Sequence, residues 1–153
     1  MKVFVVDDSA IIRDRLKRLL ADEVDIQTIG ESGEAPQAIA AIREQKPDVV
    51  LLDIELLNGN GIDVLEQVKK AEPAPAVIIL TDYPYPEYRD KCINAGADYF
   101  FVKSIEFDQV IPALNELKLR RASTERLDHS RRSLPRTDSC SATTPTLPPI
   151  LMS

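Results

Sequence analysis

Asp7, Asp8, Asp53, Thr81 and Lys103 share one feature: each stands at the end of a short apolar run. KVFVV precedes Asp7-Asp8, DVVLL precedes Asp53, AVIIL precedes Thr81, and DYFFV precedes Lys103. A lone aspartate in such a place is ordinarily a helix cap or turn former. Several run ends carrying complementary groups call for a different explanation. Three carboxylates in one place repel and raise each other's pKa values, and a bound cation removes the conflict. Oxygen ligands without His or Cys suit a hard ion, and Mg²⁺ takes one or two carboxylates plus waters. A lysine adds a mobile point charge and a threonine a hydroxyl. Such a set can stabilise a phosphoryl group in transfer, and an aspartate can itself be the nucleophile.

That chemistry needs elements that bring the run ends together. Lys2–Val6 reads as a buried strand. Ser9 stands where an N-cap would, and Ile11, Ile12, Leu16, Leu19 and Leu20 recur at helical spacing. Arg13, Arg15, Lys17 and Arg18 take the wet face of that helix. Asp25–Gly30 is a less hydrophobic strand, expected near a sheet edge. Glu34–Gln45 reads as a helix, with Pro47 marking its end. Asp48–Leu52 shows no alternation, which is the habit of parallel strands buried on both faces. Asn58–Gly61 is a turn, Ile62–Ala71 a helix, and Ala76–Leu80 another strand buried on both faces. Pro86–Ala95 is a helix stopped by Gly96, Asp98–Val102 the fifth strand, and Phe107–Leu119 the last helix.

Five strands alternating with five helices specify an α/β sheet covered on both faces. Right-handed crossovers leave few topologies, and the flavodoxin-like doubly wound five-stranded parallel sheet, order 2-1-3-4-5, suits this length. Ligands of such sheets bind outside the carboxyl ends of the strands. Strands 1 and 3 are neighbours in that order, so Asp7, Asp8 and Asp53 converge.

Composition adds bounds. The chain has 153 residues, 44% hydrophobic and 29% charged, which fits one domain with a tail. Residues 1–120 hold 14 Lys+Arg against 22 Asp+Glu, a net of −8. Such a body lacks the basic footprint of nucleic-acid binding and suits a cation site or a basic protein partner. No apolar run reaches the roughly 20 residues of a membrane span, and the N-terminus does not read as a signal peptide. Cys92 and Cys140 suggest neither a disulfide scaffold nor a zinc site, so the cytoplasm is the default compartment. Residues 121–153 contain 15 Ser, Thr or Pro among 33, and are expected to form a flexible tail.

VFVVDDS at 3–9, PDVVLLDIELLNGNGIDVL at 47–65, IILTD at 78–82 and AGADYFFVKS at 95–104 occur in one order and spacing. In that order, residues 1–120 resemble the receiver domain of bacterial two-component response regulators. The resemblance implies that Asp53 is the phosphoacceptor. It implies that Asp8 is a direct Mg²⁺ ligand, that Asp7 acts often through water, and that the Glu55 backbone carbonyl completes the protein's share of the shell. Lys103 would pair with the phosphoryl oxygens, Thr81 would be the hydroxyl switch, and Phe100 the aromatic switch. In the family the threonine moves toward the phosphoryl group and the aromatic turns inward behind it. This repacks the face formed by the fourth helix, fifth strand and fifth helix, where partners bind.

Four positions depart from the family's pattern. Ser104 stands where proline usually follows the lysine in a cis bond, Asp82 where a small residue usually follows the threonine, and Leu56-Leu57 where Met-Pro is usual. Glu55 and Tyr83, each two residues past a key group, sit where side chains tune attack by water.

The expected function is a stand-alone receiver that takes a phosphoryl group from a histidine kinase or histidine phosphotransfer protein. The 33-residue tail is too short for an output domain, so the signal passes to a protein partner. Its own chemistry is limited to self-catalysed phosphotransfer and autodephosphorylation. The alternative is a phosphorylation-independent adaptor of the same fold, which Asp82 and Ser104 favour. Family members often dimerise through the switching face, and no residue here decides whether this chain does. Cys92 is expected to be a packed thiol, Tyr83, Tyr85, Tyr88 and Tyr99 a cluster near strand ends 4 and 5, and His129 is assigned no role.

Overall fold

The apolar runs form one parallel sheet. The computed structural model describes residues 1–133, with side chains as far as Arg121. The strands are β1 (Lys2–Val6), β2 (Gln27–Ser32), β3 (Val49–Leu52), β4 (Ala76–Thr81) and β5 (Tyr99–Val102), in the order β2-β1-β3-β4-β5. The helices are α1 (Ala10–Ala21), α2 (Ala35–Gln45), α3 (Gly61–Val68), α4 (Pro86–Asn94) and α5 (Val110–Ser133). The fold is flavodoxin-like, as the alternation of runs and helices predicts.

Strand side chains alternate between faces, and the core follows that parity. Phe4, Val6, Val50, Leu52, Val77, Ile79 and Phe100 lie on one face, against Ala38 and Ile42 of α2, Val64, Leu65 and Val68 of α3, and Cys92 of α4. Val3, Val5, Val49, Leu51, Ile78 and Leu80 lie on the other, against Leu16 and Leu20 of α1 and Val110, Ala113, Leu114 and Leu117 of α5. Each fully buried aliphatic side chain contributes about 1.5–3 kcal/mol of transfer free energy, so both faces hold the sheet. Cys92 is buried, as expected, and burial pushes its thiol up to about 11.

The register sets the height of every run end. Val6 pairs with Leu52, Leu52 with Ile79, and Thr81 with Val102. Asp7 and Asp53 therefore leave the sheet side by side, with the Asp53 amide donating to the Val6 carbonyl at 2.9 Å. The Ser9 hydroxyl accepts from the Ile12 amide at 3.3 Å and starts α1 immediately beyond the acidic pair. Asn60 does the same for α3, its side-chain oxygen accepting from the Asp63 amide at 3.0 Å.

Several boundaries move. β2 runs to Ser32 rather than Gly30, because Glu31 and Ser32 still pair with Val5 and Val6 of β1 and the Ser32 carbonyl accepts from the Asp7 amide at 3.0 Å. α3 stops at Val68 rather than Ala71; the Lys70 and Ala71 amides bond three residues back, to Gln67 and Val68. The turn at 58–61 is part of a hairpin pairing Glu55–Leu56 with Gly59–Asn60. The last helix has a different start and end from the expected Phe107–Leu119. A helical turn at Lys103–Glu106 and a 3₁₀ turn at Phe107–Gln109 precede α5, which runs to Ser133. The stretch 122–133 has no Pro or Gly, and 11 of the tail's 15 Ser, Thr and Pro lie after Ser133. Composition over residues 121–153 averages helix-compatible residues with a Ser/Thr/Pro-rich segment. Met1–Leu117 is one unit, and a second begins at Lys118. The tail reading for residues 134–153 falls outside the described residues. No described helix is long and apolar enough to cross a membrane.

Candidate functional site

The carboxyl edge of the sheet has an acidic half on β1 and β3. Asp7 and Asp53 are buried, while Asp8 is exposed. One carboxylate oxygen from each lies within 4.8 Å of the others. Backbone amides orient the two buried groups: Asp7 Oδ1 accepts from Ser9 at 2.8 Å, and Asp53 Oδ1 from Ile54 at 2.7 Å. The loop beyond Asp53 is tightly closed. The Gly61 amide donates to the Ile54 carbonyl at 2.6 Å, and a Cβ on Gly61 would lie 2.0 Å from the Asp53 carbonyl oxygen.

β4 and β5 supply the other half. Lys103 reaches from the end of β5 with its Nζ 2.5 Å from Asp7 Oδ2 and 3.1 Å from Asp53 Oδ2. Its turn is closed by Glu106, whose carboxylate accepts from the Val102 amide at 3.0 Å. The Lys103–Ser104 bond is trans; Glu72–Pro73 is the only cis peptide among the described residues. Thr81 is fully buried, and its hydroxyl accepts from the Tyr83 amide at 3.2 Å. Phe100 is 5% exposed, packed on the α2–α3–α4 side, with the Arg89 guanidinium 5.7 Å from its ring centre. Asp82 is exposed. The Tyr83 phenol is hydrogen-bonded to Glu55, two residues past Asp53, and that bond pushes it up to about 12.

The charges explain one another. Burial pushes the Asp53 carboxyl up to about 6; the Lys103 charge opposes the rise and the Asp7 charge adds to it. Burial likewise raises Asp7 above the ordinary carboxylate value, against the Lys103 hydrogen bond. Burial alone would lower Lys103, but hydrogen bonding to Asp7 and the charges of Asp53 and Asp7 outweigh it and raise the ammonium. Two buried carboxylates thus share one ammonium beside an exposed third, in a pocket whose carboxylate donors are all oxygen. That set fits a hard divalent cation such as Mg²⁺. From Asp8 and Glu55 an open cleft of 570 Å³ runs along Ile62 to Tyr88 and Lys91.

Two side chains sit where the sequence reading did not put them. Arg13, assigned to the wet face of α1, turns back to the Asp7 carbonyl at 2.5 Å and to Glu31 at 2.8 Å. The signal was its place one turn into the helix, since helical side chains lean toward the N-terminus. Tyr99 is not in the tyrosine cluster. Tyr83, Tyr85 and Tyr88 have ring centres 6.0–6.3 Å apart, whereas Tyr99 opens β5 and stacks on Phe101 at 5.6 Å in the other layer. Gly61, read only as a turn residue, proves essential to the close approach beside Asp53.

The doubly wound sheet, with an acidic trio and a lysine at its carboxyl edge, defines a receiver, and residues 3–115 match the response regulator receiver domain profile. The chain belongs to that family. It is 31% identical over 123 residues to the sensory transduction protein LytT of Bacillus anthracis, covering 80% of this chain and 49% of that protein. It is 33% identical over 117 residues to the DNA-binding transcriptional activator DevR/DosR of Mycobacterium tuberculosis, covering 76% of this chain and 54% of that one. The crystal structure of the response regulator domain of Thermotoga maritima CheB superposes with a TM-score of 0.68 at 34% identity, over 80% of this chain and 95% of that one. The chain spans about half the length of these two sequence relatives.

Proposed function

We propose that this chain is a phosphoacceptor receiver in which Asp53 takes a phosphoryl group from the phosphohistidine of a histidine kinase or a histidine phosphotransfer protein. An Asp53 carboxylate oxygen forms the new bond to phosphorus as the donor's phosphorus–nitrogen bond breaks, and the imidazole leaves with that bond's electron pair. Asp53 has to be ionised for this, and a value near 6 leaves it so at neutral pH. Asp8, Asp7, Asp53 and the Glu55 carbonyl are the groups that would hold Mg²⁺. Bound there, the ion would supply positive charge to the phosphoryl oxygens as charge shifts onto them. Lys103 supplies a second positive charge, its ammonium 3.1 Å from Asp53 Oδ2. The observation that carries this reading is the Lys103 ammonium shared by two buried carboxylates beside an exposed third.

Thr81 and Phe100 form the coupling path. To reach a phosphoryl group on Asp53, the Thr81 hydroxyl has to leave the Tyr83 amide, which moves the β4–α4 loop. The surface formed by α4, β5 and the start of α5 then meets the downstream protein partner. Glu55, Asp82 and Tyr83 rim the mouth of the site and set how water and donors enter. The phosphorylation-independent adaptor is favoured by Asp82, whose exposed side chain follows Thr81 and adds negative charge where a phosphoryl donor would enter.

Intact mass spectrometry after incubation with acetyl phosphate and Mg²⁺ separates the two readings. One phosphoryl group on the wild type, none on Asp53→Asn and none with chelator supports the receiver. An unlabelled wild type that is also refractory to a phosphorylated histidine donor leaves the adaptor.

A further inference from the structure

The β1–α1 loop carries two of the three carboxylates, and one side chain outside that loop holds its backbone. Arg13 Nη1 donates to the Asp7 carbonyl oxygen at 2.5 Å, and its Nε donates to Glu31 Oε1 at 2.8 Å. Lys17, one turn further along α1, pairs with the other oxygen of Glu31. These contacts lower Glu31 from its ordinary carboxylate value, with the Lys17 hydrogen bond the largest cause. The Arg13 side chain is 20% exposed, and its guanidinium lies close over Gly33, where a Cβ would come within 2.9 Å of Nη1. The other side of the Asp7 backbone is also tied, its amide donating to the Ser32 carbonyl at 3.0 Å.

The Asp7 carbonyl belongs to the peptide that joins Asp7 to Asp8. A planar peptide moves as one body, so fixing its oxygen fixes the direction in which Asp8 leaves the chain. Asp8 is the exposed member of the trio, and no described side-chain hydrogen bond orients it, whereas Asp7 and Asp53 are oriented by the Ser9 and Ile54 amides. We propose that Arg13, anchored on Glu31, is a positioning residue that holds the Asp7–Asp8 peptide so that the Asp8 carboxylate is presented to the divalent cation. The proposal rests on the reading of Asp7, Asp8 and Asp53 as a cation site.

Charge and position predict opposite results here. Arg13 is a cation near a cation site, so by charge alone its removal tightens Mg²⁺ binding. Removal of a group that orients a metal ligand typically costs about 10–100-fold in affinity. The test is calorimetric titration of Mg²⁺ into the full chain for wild type, Arg13→Met, Arg13→Lys and Lys17→Met. Lys17→Met removes the same charge from the same Glu31 anchor without touching Asp7. The expected result is a loss of about tenfold or more for Arg13→Met, a smaller loss for Arg13→Lys, and no loss for Lys17→Met. In metal-free protein the Asp8 amide resonance should shift in Arg13→Met and stay in place in Lys17→Met, which also reports that both variants are folded. Arg13→Met binding as tightly as wild type, or more tightly, overturns the clamp while leaving the cation site intact. A wild type that takes up no Mg²⁺ overturns the cation site and the proposal with it.

Discussion

The two halves of the carboxyl edge are held in different ways. In the acidic half, Asp7 and Asp53 are oriented by amides of their own loops, and the loop after Asp53 closes so tightly that Gly61 admits no side chain. In the other half, Thr81 is held by one bond to the Tyr83 amide, and Lys103 leaves the sheet on a single helical turn. Beyond Thr81 come Asp82 and the three tyrosines, whose rings touch one another near the surface. The first half is oriented by backbone amides at each buried carboxylate, and the second by bonds of its side chains. Preorganised groups stabilise a transition state without reorganising, whereas a switch needs an element with two arrangements close in free energy.

The largest effect should come from Lys103, which joins the halves. Lys103→Ala leaves two buried carboxylates without their cation, and such a loss costs about 3–5 kcal/mol at neutral pH. Urea unfolding without Mg²⁺ would measure it, and the loss should shrink in acid, where the carboxyls are protonated. A variant as stable as wild type at neutral pH would break the idea that the acidic half is under charge strain.

The same strain predicts a pH dependence in the wild type. Asp53 sits at about 6 in the folded protein against 3.8 ordinarily. The folded state therefore binds more protons than the unfolded state between those values, so metal-free stability falls as pH rises through that window. Urea midpoints at about pH 4.5 and about pH 7.5 should show the fall after other groups are corrected for with Asp53→Asn. Mg²⁺ should stabilise more at the higher value.

Gly61→Ala sharpens the contrast by overpacking the rigid half. Its Cβ meets backbone rather than a flexible side chain, so a cost of about 1–3 kcal/mol and slower labelling of Asp53 are expected. Thr81→Val is the counterpart in the other half. It keeps the shape and removes one hydrogen bond, for a cost of about 1 kcal/mol. Labelling should persist while the amide spectrum of α4 and β5 no longer responds to it. The smallest effect is expected from Tyr83→Phe, which frees Glu55 at the rim. The melting temperature should be unchanged and the phosphoryl lifetime shorter.

Sequence reading served the rigid half best. Runs such as VVLL and AVIIL are buried on both faces and leave no choice of element, so the order of strands and the residues at their ends follow from the pattern. The convergence of Asp7, Asp8, Asp53 and Lys103 is therefore legible in the sequence. Contacts made by long polar side chains were not. Arg13 fits a solvated helix face by periodicity, and only its reach past the N-cap reveals the Asp7 carbonyl. The phenol of Tyr83 and the carboxylate of Glu55 are 28 residues apart in the chain, and no local rule pairs them. The end of α5 does not show in the composition of residues 121–153, because that segment is not uniform.

The central claim is that Asp53 is the acceptor, and borohydride trapping tests it most directly. An aspartyl phosphate is reduced to homoserine, which peptide mass mapping locates in the chain. After acetyl phosphate and Mg²⁺, homoserine should appear at position 53 alone and disappear with chelator. Homoserine at position 7, 8 or 82, or none in a protein that carries a phosphoryl group, would contradict the account.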